Sequence, residues 1–242
     1  MNSLISAIRF ITILPFGRPG TFEPVKMIPF FPAVGLILGL ILACFDLVIS
    51  YFWPPLTTAL LDVVLLTILT GAFHIDGLGD AADGLLGHHE KNRALEIMKD
   101  SRIGVMGLVA IVCAMSVKWA GIAGIVEHRF LLLVLIPAYS RASMIFGFRF
   151  LNYGRSKGTG HALFTEPIKL SAFAGLFPCI FLSLFLGWKL FYINIAFLLL
   201  VFSILFYYKR RIGCITGDML GAMTELTEAM LFLLLSAGVC SI

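Results

Sequence analysis

Residues 56–85 read LTTALLDVVLLTILTGAFHIDGLGDAADGL. The segment opens as an apolar run able to enter a bilayer and closes on three aspartates, Asp76, Asp80 and Asp83, so membrane and acid meet in one stretch. A helix turns by about 100° per residue, and steps of four and three gather these carboxylates within an arc of roughly 60°. Like charges held that close repel one another. Near a bilayer they persist where a hard cation neutralises them or where water reaches them freely. A divalent metal site is the first reading, and a solvated helix start, where acids suit the helix dipole, is the alternative.

Outward from this segment the composition decides the class. The 242 residues are 60% hydrophobic and only 13% charged, with a mean hydropathy of +0.99, outside the range of soluble domains. A bilayer core takes about 20 apolar residues per helix, and seven stretches come close: 32–53, 56–73, 103–126, 130–151, 168–188, 190–208 and 214–239. The last carries Asp218, Glu225 and Glu228 and is the least apolar. The expected fold is all-α, a polytopic helical membrane bundle of about seven transmembrane helices forming a single domain over residues 1–242.

Basic residues orient these spans. With a cytoplasmic N-terminus and seven crossings, the cytoplasmic loops hold Arg9, Arg18 and Lys26, then Lys91, Arg93, Lys99 and Arg102, then Arg149, Arg155, Lys157 and Lys169, then Lys209, Arg210 and Arg211. Lys118 and Arg141 lie within spans, which leaves Arg129 and Lys189 on the far side. The net charge of +4 therefore reflects loops facing an anionic leaflet, and a nucleic-acid partner is not expected. Cys44, Cys113, Cys179, Cys214 and Cys240 are scattered without a C-x-x-C pair and read as small packing residues. The first fourteen residues, with Arg9 among apolar positions and Pro15 following, suggest an interfacial helix rather than a cleaved signal peptide.

In this topology the unusual polar residues share one side. Asp76, Asp80 and Asp83 follow the second span, Lys99, Asp100 and Arg102 precede the third, and Asp218 lies one turn into the seventh. The loop G-R-S-K-G-T-G-H, residues 154–161, joins them between spans four and five. Carboxylates for a cation and cations for an anion at one level suit a metal-bound phosphate or diphosphate.

These residues also carry a family resemblance. H-I-D-G-L-G-D-A-A-D-G-L (74–85), L-E-I-M-K-D-S-R-I-G (95–104) and I-T-G-D-M-L-G-A (215–222) resemble the three signatures of the cobalamin synthase family, as do I-R-F-I-T-I-L-P (8–15) and F-P-A-V-G-L-I-L-G (31–39). The resemblance implies a Mg²⁺-dependent transferase in the bacterial inner membrane, with N-terminus and active site cytoplasmic, acting on adenosylcobinamide-GDP and α-ribazole or its 5′-phosphate. It implies attack by the 5′ oxygen of the acceptor on the corrinoid-bearing phosphate, with GMP leaving. The bilayer is the expected partner, and a homo-oligomer is compatible. His88 and His89 stand where that family usually has glycines, Gly79 where alanine is common, and Cys214 where a second glycine is common.

With the resemblance, Asp76, Asp80, Asp83 and Asp218 are the expected metal ligands, and Asp83, Lys99, Asp100 and Arg102 the catalytic group. Arg102 would contact phosphate, its alternative being an interfacial ion pair with Asp100, while Lys99 could instead snorkel to headgroups. Arg141, Lys157, His161 and His74 are expected at the substrate. For Arg141, deep in the fourth span, an ion pair with Asp62, Glu225 or Glu228 is equally open, since an unpaired guanidinium there would cost about 3 kcal/mol on insertion scales. His74, two residues before Asp76, would point to nearly the opposite face, so a role beneath the site competes with a direct one. His88 and His89 lack the convergent partners of a zinc site. A CDP-alcohol phosphotransferase differs in aspartate spacing, and a cation transporter would place ionisable residues at mid-membrane on several helices.

Overall fold

A computed structural model describes residues 3–17, 23–155 and 159–237. Arg18, Lys157 and Cys240 lie outside them, so the substrate role expected of Lys157 has no structural counterpart. The described chain is helical: α1 Ser3–Ile11, α2 Pro24–Met27, α3 Phe31–Ile49, α4 Pro55–Leu69, α5 Phe73–Leu86, α6 Lys91–Ile97, α7 Val105–Gly124, α8 Arg129–Phe150, α9 Phe177–Ser183, α10 Lys189–Arg211 and α11 Gly217–Ser236. Among the described residues no strand forms, and one isolated bridge pairs Tyr153 with Ile215.

Five helices are long and apolar enough to cross a membrane: Pro24–Ile49, Val105–Gly124, Arg129–Phe150, Lys189–Arg211 and Gly217–Ser236. The protein is thus a multi-pass membrane bundle. The expected second and fifth spans depart from simple helices. The segment expected to cross at 56–73 breaks at Gly71 and Ala72, both with positive φ, and α4 and α5 meet at 90°; counted as one broken span, the pair makes a sixth. The segment expected at 168–188 is a 3₁₀ helix Leu170–Leu176, then α9, then a 3₁₀ turn Leu184–Leu186. A 3₁₀ helix rises about 2.0 Å per residue against 1.5 Å for an α-helix, which lengthens this short segment. It carries the chain from Gly175, packed on the carbonyl of Pro29, to Lys189, which pairs with Glu127 at 3.0 Å.

α8 is the central post, with 17 of its 22 residues buried. α3 lies directly against it, because Gly35 and Gly39 let the two backbones touch: a Cβ on Gly39 would meet the Leu133 carbonyl oxygen at 2.7 Å. This is the small-residue contact that membrane helices use where hydrophobicity cannot drive association. α1 lays Ala7, Ile8 and Ile11 on the bundle and stacks Phe10 on Phe31, in keeping with an interfacial helix.

The two ends of the bundle differ in charge. At one end Arg129 binds Asp46 at 2.6 Å and approaches Asp62 at 3.5 Å, near the Lys189–Glu127 pair. The other end gathers α5, α6, the N-termini of α7 and α11 and the C-termini of α8 and α10, with the basic stretches 91–102 and 209–211.

Candidate functional site

After the bend, α5 runs across the N-termini of α7 and α11. Glycine permits the crossing. A Cβ on Gly77 would meet the backbone oxygen of Asp218 at 2.7 Å and its Cα at 3.0 Å, and a Cβ on Gly221 would lie 3.2 Å from the Cα of His74. The backbone of Asp218 is thereby placed against α5. Asp80 lies within electrostatic reach of Asp218, Asp76 and Asp83, with Arg155 the cation that opposes them. Asp76 is exposed; Asp80, Asp83 and Asp218 are half-buried.

Asp83 has a structural duty that the spacing did not foretell. Its two oxygens accept from the amides of Gly104 (2.7 Å) and Gly107 (2.8 Å), so a side chain on α5 caps the free N–H groups that begin α7. A carboxylate has about four lone-pair positions, and two of them are engaged here. The contact fixes the 99–104 loop beside α5. Asp83, His89, Arg93, Glu96, Asp100 and Arg102 line a cleft of about 410 Å³.

Arg102 forks onto Asp100 with Nη2 at 2.6 Å and Nε at 3.0 Å, while the Arg102 amide donates to the same carboxylate at 3.1 Å. The side-chain and backbone donors of Arg102 hold the Asp100 carboxyl down at about 2. The Arg102 side chain is 87% exposed, so this pair stands free in the cleft. Lys99 is exposed beside it.

Arg155 was not singled out for the site from the sequence, yet it enters it. Its Nη2 binds Asp218 Oδ2 at 2.5 Å and the Met98 carbonyl at 3.2 Å. The signal available was the basic 154–161 loop, which Tyr153 anchors to Ile215 beside the start of α11.

Two expected substrate contacts lie elsewhere. Arg141 is fully buried and pairs with Glu228, which also takes Lys118 at 2.7 Å; Lys118 binds Glu225 at 2.6 Å, and Ser140 donates to Glu228 at 2.9 Å. The cost of an unpaired guanidinium is met inside the bundle by α11, so Arg141 is a structural ion-pair residue and not a surface substrate contact. His74 is buried as well, on the face of α5 away from the carboxylates, as its spacing from Asp76 requires. It borders a small cavity of about 30 Å³ among Phe10, Phe31, Phe73 and Phe148, and neither ring nitrogen has a hydrogen-bond partner among the described residues. His161 is exposed in a 3₁₀ turn, edge-on to Tyr153 at 5.9 Å, and has no contact with the carboxylates. His88 and His89 sit on the rim of a groove beside Tyr207 and Arg211, and although His89 also lines the cleft with Asp83 and Asp100, no three such donors converge among the described residues.

The donor set contributed by α5 and α11 is all oxygen and anionic, which fits a hard divalent ion. In these side-chain positions no three His, Cys, Asp or Glu donors among the described residues converge on one point, because Asp218 faces Arg155 and Asp83 faces the α7 amides.

The sequence is similar to known proteins over nearly its whole length. The family model described as cobalamin-5-phosphate synthase matches residues 3–236. The adenosylcobinamide-GDP ribazoletransferase of Alkaliphilus metalliredigens is 37% identical over 98% of this chain and 97% of its own. That of Syntrophobacter fumaroxidans is 37% identical over 97% of each chain, and that of Desulfitobacterium hafniense 35% identical over 97% of this chain and 96% of its own. No solved structure matches. With the three acidic and basic signatures assembled at one end of a membrane bundle, and the match running through nearly every residue, the chain belongs to the cobalamin-5-phosphate synthase family and is a transferase of cobalamin biosynthesis.

Proposed function

We propose that the chain transfers the adenosylcobinamide phosphoryl group from adenosylcobinamide-GDP to the 5′ oxygen of α-ribazole, or of its 5′-phosphate, with Mg²⁺ at the acidic face. The observation that carries this reading is the packing of Gly77 on the backbone of Asp218, which joins carboxylates of two distant segments in one site. A new P–O bond forms to the acceptor oxygen, the P–O bond to GMP breaks, and the acceptor proton passes to a carboxylate or to water. A divalent ion, when bound, neutralises phosphate oxygens and favours the charge that develops during transfer.

Asp76, Asp80 and Asp218 would hold that ion, with Asp83 contributing its free lone pairs while it keeps the 99–104 loop in place. Arg102, planar and held ready by Asp100, presents donors to the diphosphate from the cleft. The basic loops at this end support a cytoplasmic orientation of the site under the positive-inside rule, and on this reading acceptor and donor enter from that side. The experiment is direct: purified protein with adenosylcobinamide-GDP, α-ribazole and Mg²⁺ should release GMP in step with cobalamin formation, and EDTA should stop it. GMP release without a corrinoid product, or full turnover in EDTA, would count against the reading. The same mixture with α-ribazole 5′-phosphate decides between the two acceptors.

A further inference from the structure

Arg155 is the guanidinium that pairs with Asp218 and opposes Asp80, and the backbone fixes where it starts. The Gly154 amide donates to the Ile215 carbonyl at 2.8 Å and the Ile215 amide to the Asn152 carbonyl at 3.0 Å, so the residue before Arg155 is tied to the residue that precedes the cap of α11. From there one nitrogen, Nη2, serves both Asp218 and the carbonyl of Met98. Among the described residues the buried Nε has no acceptor. A guanidinium has five N–H donors in a planar fork that matches phosphate oxygens, and leaving a buried donor without a partner costs about 1–3 kcal/mol. Its partners here are one oxygen of Asp218 and a carbonyl.

The charge balance points the same way. Asp76, Asp80, Asp83 and Asp218 are four acids, and among the described residues Arg155 is the cation that opposes them at Asp80 and Asp218. Asp218 has to be neutralised before any metal arrives, and Arg155 does so at 2.5 Å. A divalent ion taking Asp218 would leave the guanidinium fork without its acid, next to the position where the ion meets phosphate.

We propose that Arg155 is an exchangeable counter-ion: it neutralises Asp218 in the resting protein, gives up that carboxylate to the divalent cation, and then binds phosphate oxygens of the nucleotide-bearing substrate. This rests on the phosphoryl-transfer reading above. It also makes a prediction independent of it, because the cation and the guanidinium compete for one carboxylate. Removing the guanidinium strengthens metal binding while weakening substrate binding, whereas a metal-site or folding residue would weaken both.

The test uses the full-length protein in detergent with Mn²⁺ as probe, titrated without substrate and read by the loss of the free-ion EPR signal, beside steady-state kinetics. Arg155→Gln is expected to bind Mn²⁺ at least tenfold more tightly and to raise the KM for adenosylcobinamide-GDP at least tenfold. Arg155→Lys, which keeps a point charge but not the fork, should hold Mn²⁺ near the wild-type affinity and still raise KM. Unchanged or weaker Mn²⁺ binding in Arg155→Gln overturns the exchange, and an unchanged KM in either variant overturns the phosphate contact. Should Arg155→Gln fail to fold, Arg155→Lys decides through its KM. Absence of GMP release by the wild type would remove the transfer reading while leaving the Mn²⁺ competition intact as a result.

Discussion

Two charged regions share α11, and they are built on opposite rules. Around Glu225 and Glu228, two acids meet two bases, Lys118 and Arg141, and every one is buried. Around Asp218, two turns away, four carboxylates gather, and among the described residues Arg155 is the cation that pairs with one of them, Asp218, while Asp76 is open to water. The interior set is matched because unbalanced charge in a low-dielectric bundle costs several kcal/mol. The outer set is left unmatched, and in the proposed reading a cation takes up the excess charge. On that reading balance marks the charges that hold the bundle together, and imbalance marks those used in the transfer.

The largest effect that sharpens this contrast is on stability. Glu228→Ala leaves Arg141 and one hydrogen-bonding position of Lys118 uncompensated, and should cost about 3–5 kcal/mol, seen as a large fall in detergent-solubilised Tm or as loss of folded protein. Removing Lys118 and Glu225 together, as Lys118→Met with Glu225→Gln, should cost less than either single change. If the double change were the sum of the singles, the interior set would not be a coupled pair.

At the outer set the pattern inverts. Asp76→Asn, Asp80→Asn or Asp218→Asn should each lower turnover about a hundredfold, roughly 2.7 kcal/mol on the barrier, while Tm stays level or rises for Asp76→Asn and Asp80→Asn as repulsion is relieved and falls for Asp218→Asn, which leaves Arg155 without its acid. Turnover within threefold of wild type for Asp80→Asn would break the comparison.

Glycine substitutions probe how the outer set is assembled. Gly77→Ala drives a methyl into the backbone of Asp218, and overpacking of this kind costs about 1–3 kcal/mol; turnover should fall at least tenfold with a lower Tm. At Gly79, where the family commonly has alanine, the nearest atom to an added Cβ would be the tip of the Ile111 side chain at 3.1 Å. Gly79→Ala should therefore leave turnover within about twofold, and a loss as large as that at Gly77 would show that α5 is not positioned by its contact with α11.

Much of this was legible in the sequence, and the parts that were not share a cause. The acidic face of α5 and the arrival of Asp218 follow from helical spacing and from the side on which each apolar run ends. A charged partner for Arg141 follows from the cost of burying it, and Glu228 was among the candidates. The 90° turn was hidden because the apolar pattern runs unbroken from residue 56 to 73 and the bend depends on Ala72 adopting a left-handed backbone, for which alanine has no preference. The capping by Asp83 and the pairing of Arg155 with Asp218 depend on helix ends from distant segments meeting, which spacing along one segment does not encode. His74 followed its spacing to the inner face, where its place in the family signature had suggested contact with substrate.

The smallest effect on stability, and the finest probe of the comparison, belongs to Arg102. Its pair with Asp100 is exposed, and such pairs are worth about 0–1 kcal/mol. Arg102→Lys keeps the charge but loses the planar fork, so it should leave Tm within about 1 °C. If the guanidinium serves the diphosphate from the cleft, turnover should still fall tenfold to a hundredfold, because a single ammonium cannot make two parallel hydrogen bonds to phosphate oxygens. Asp100→Asn should then have a milder effect, since it frees the fork without removing it. If instead the pair only shapes the 99–104 loop, Arg102→Lys and Asp100→Asn should behave alike, both nearly silent in turnover. Measuring GMP release and thermal unfolding on the two variants separates these outcomes, and equal, near-wild-type turnover would move Arg102 from the chemically free charges to the matched ones.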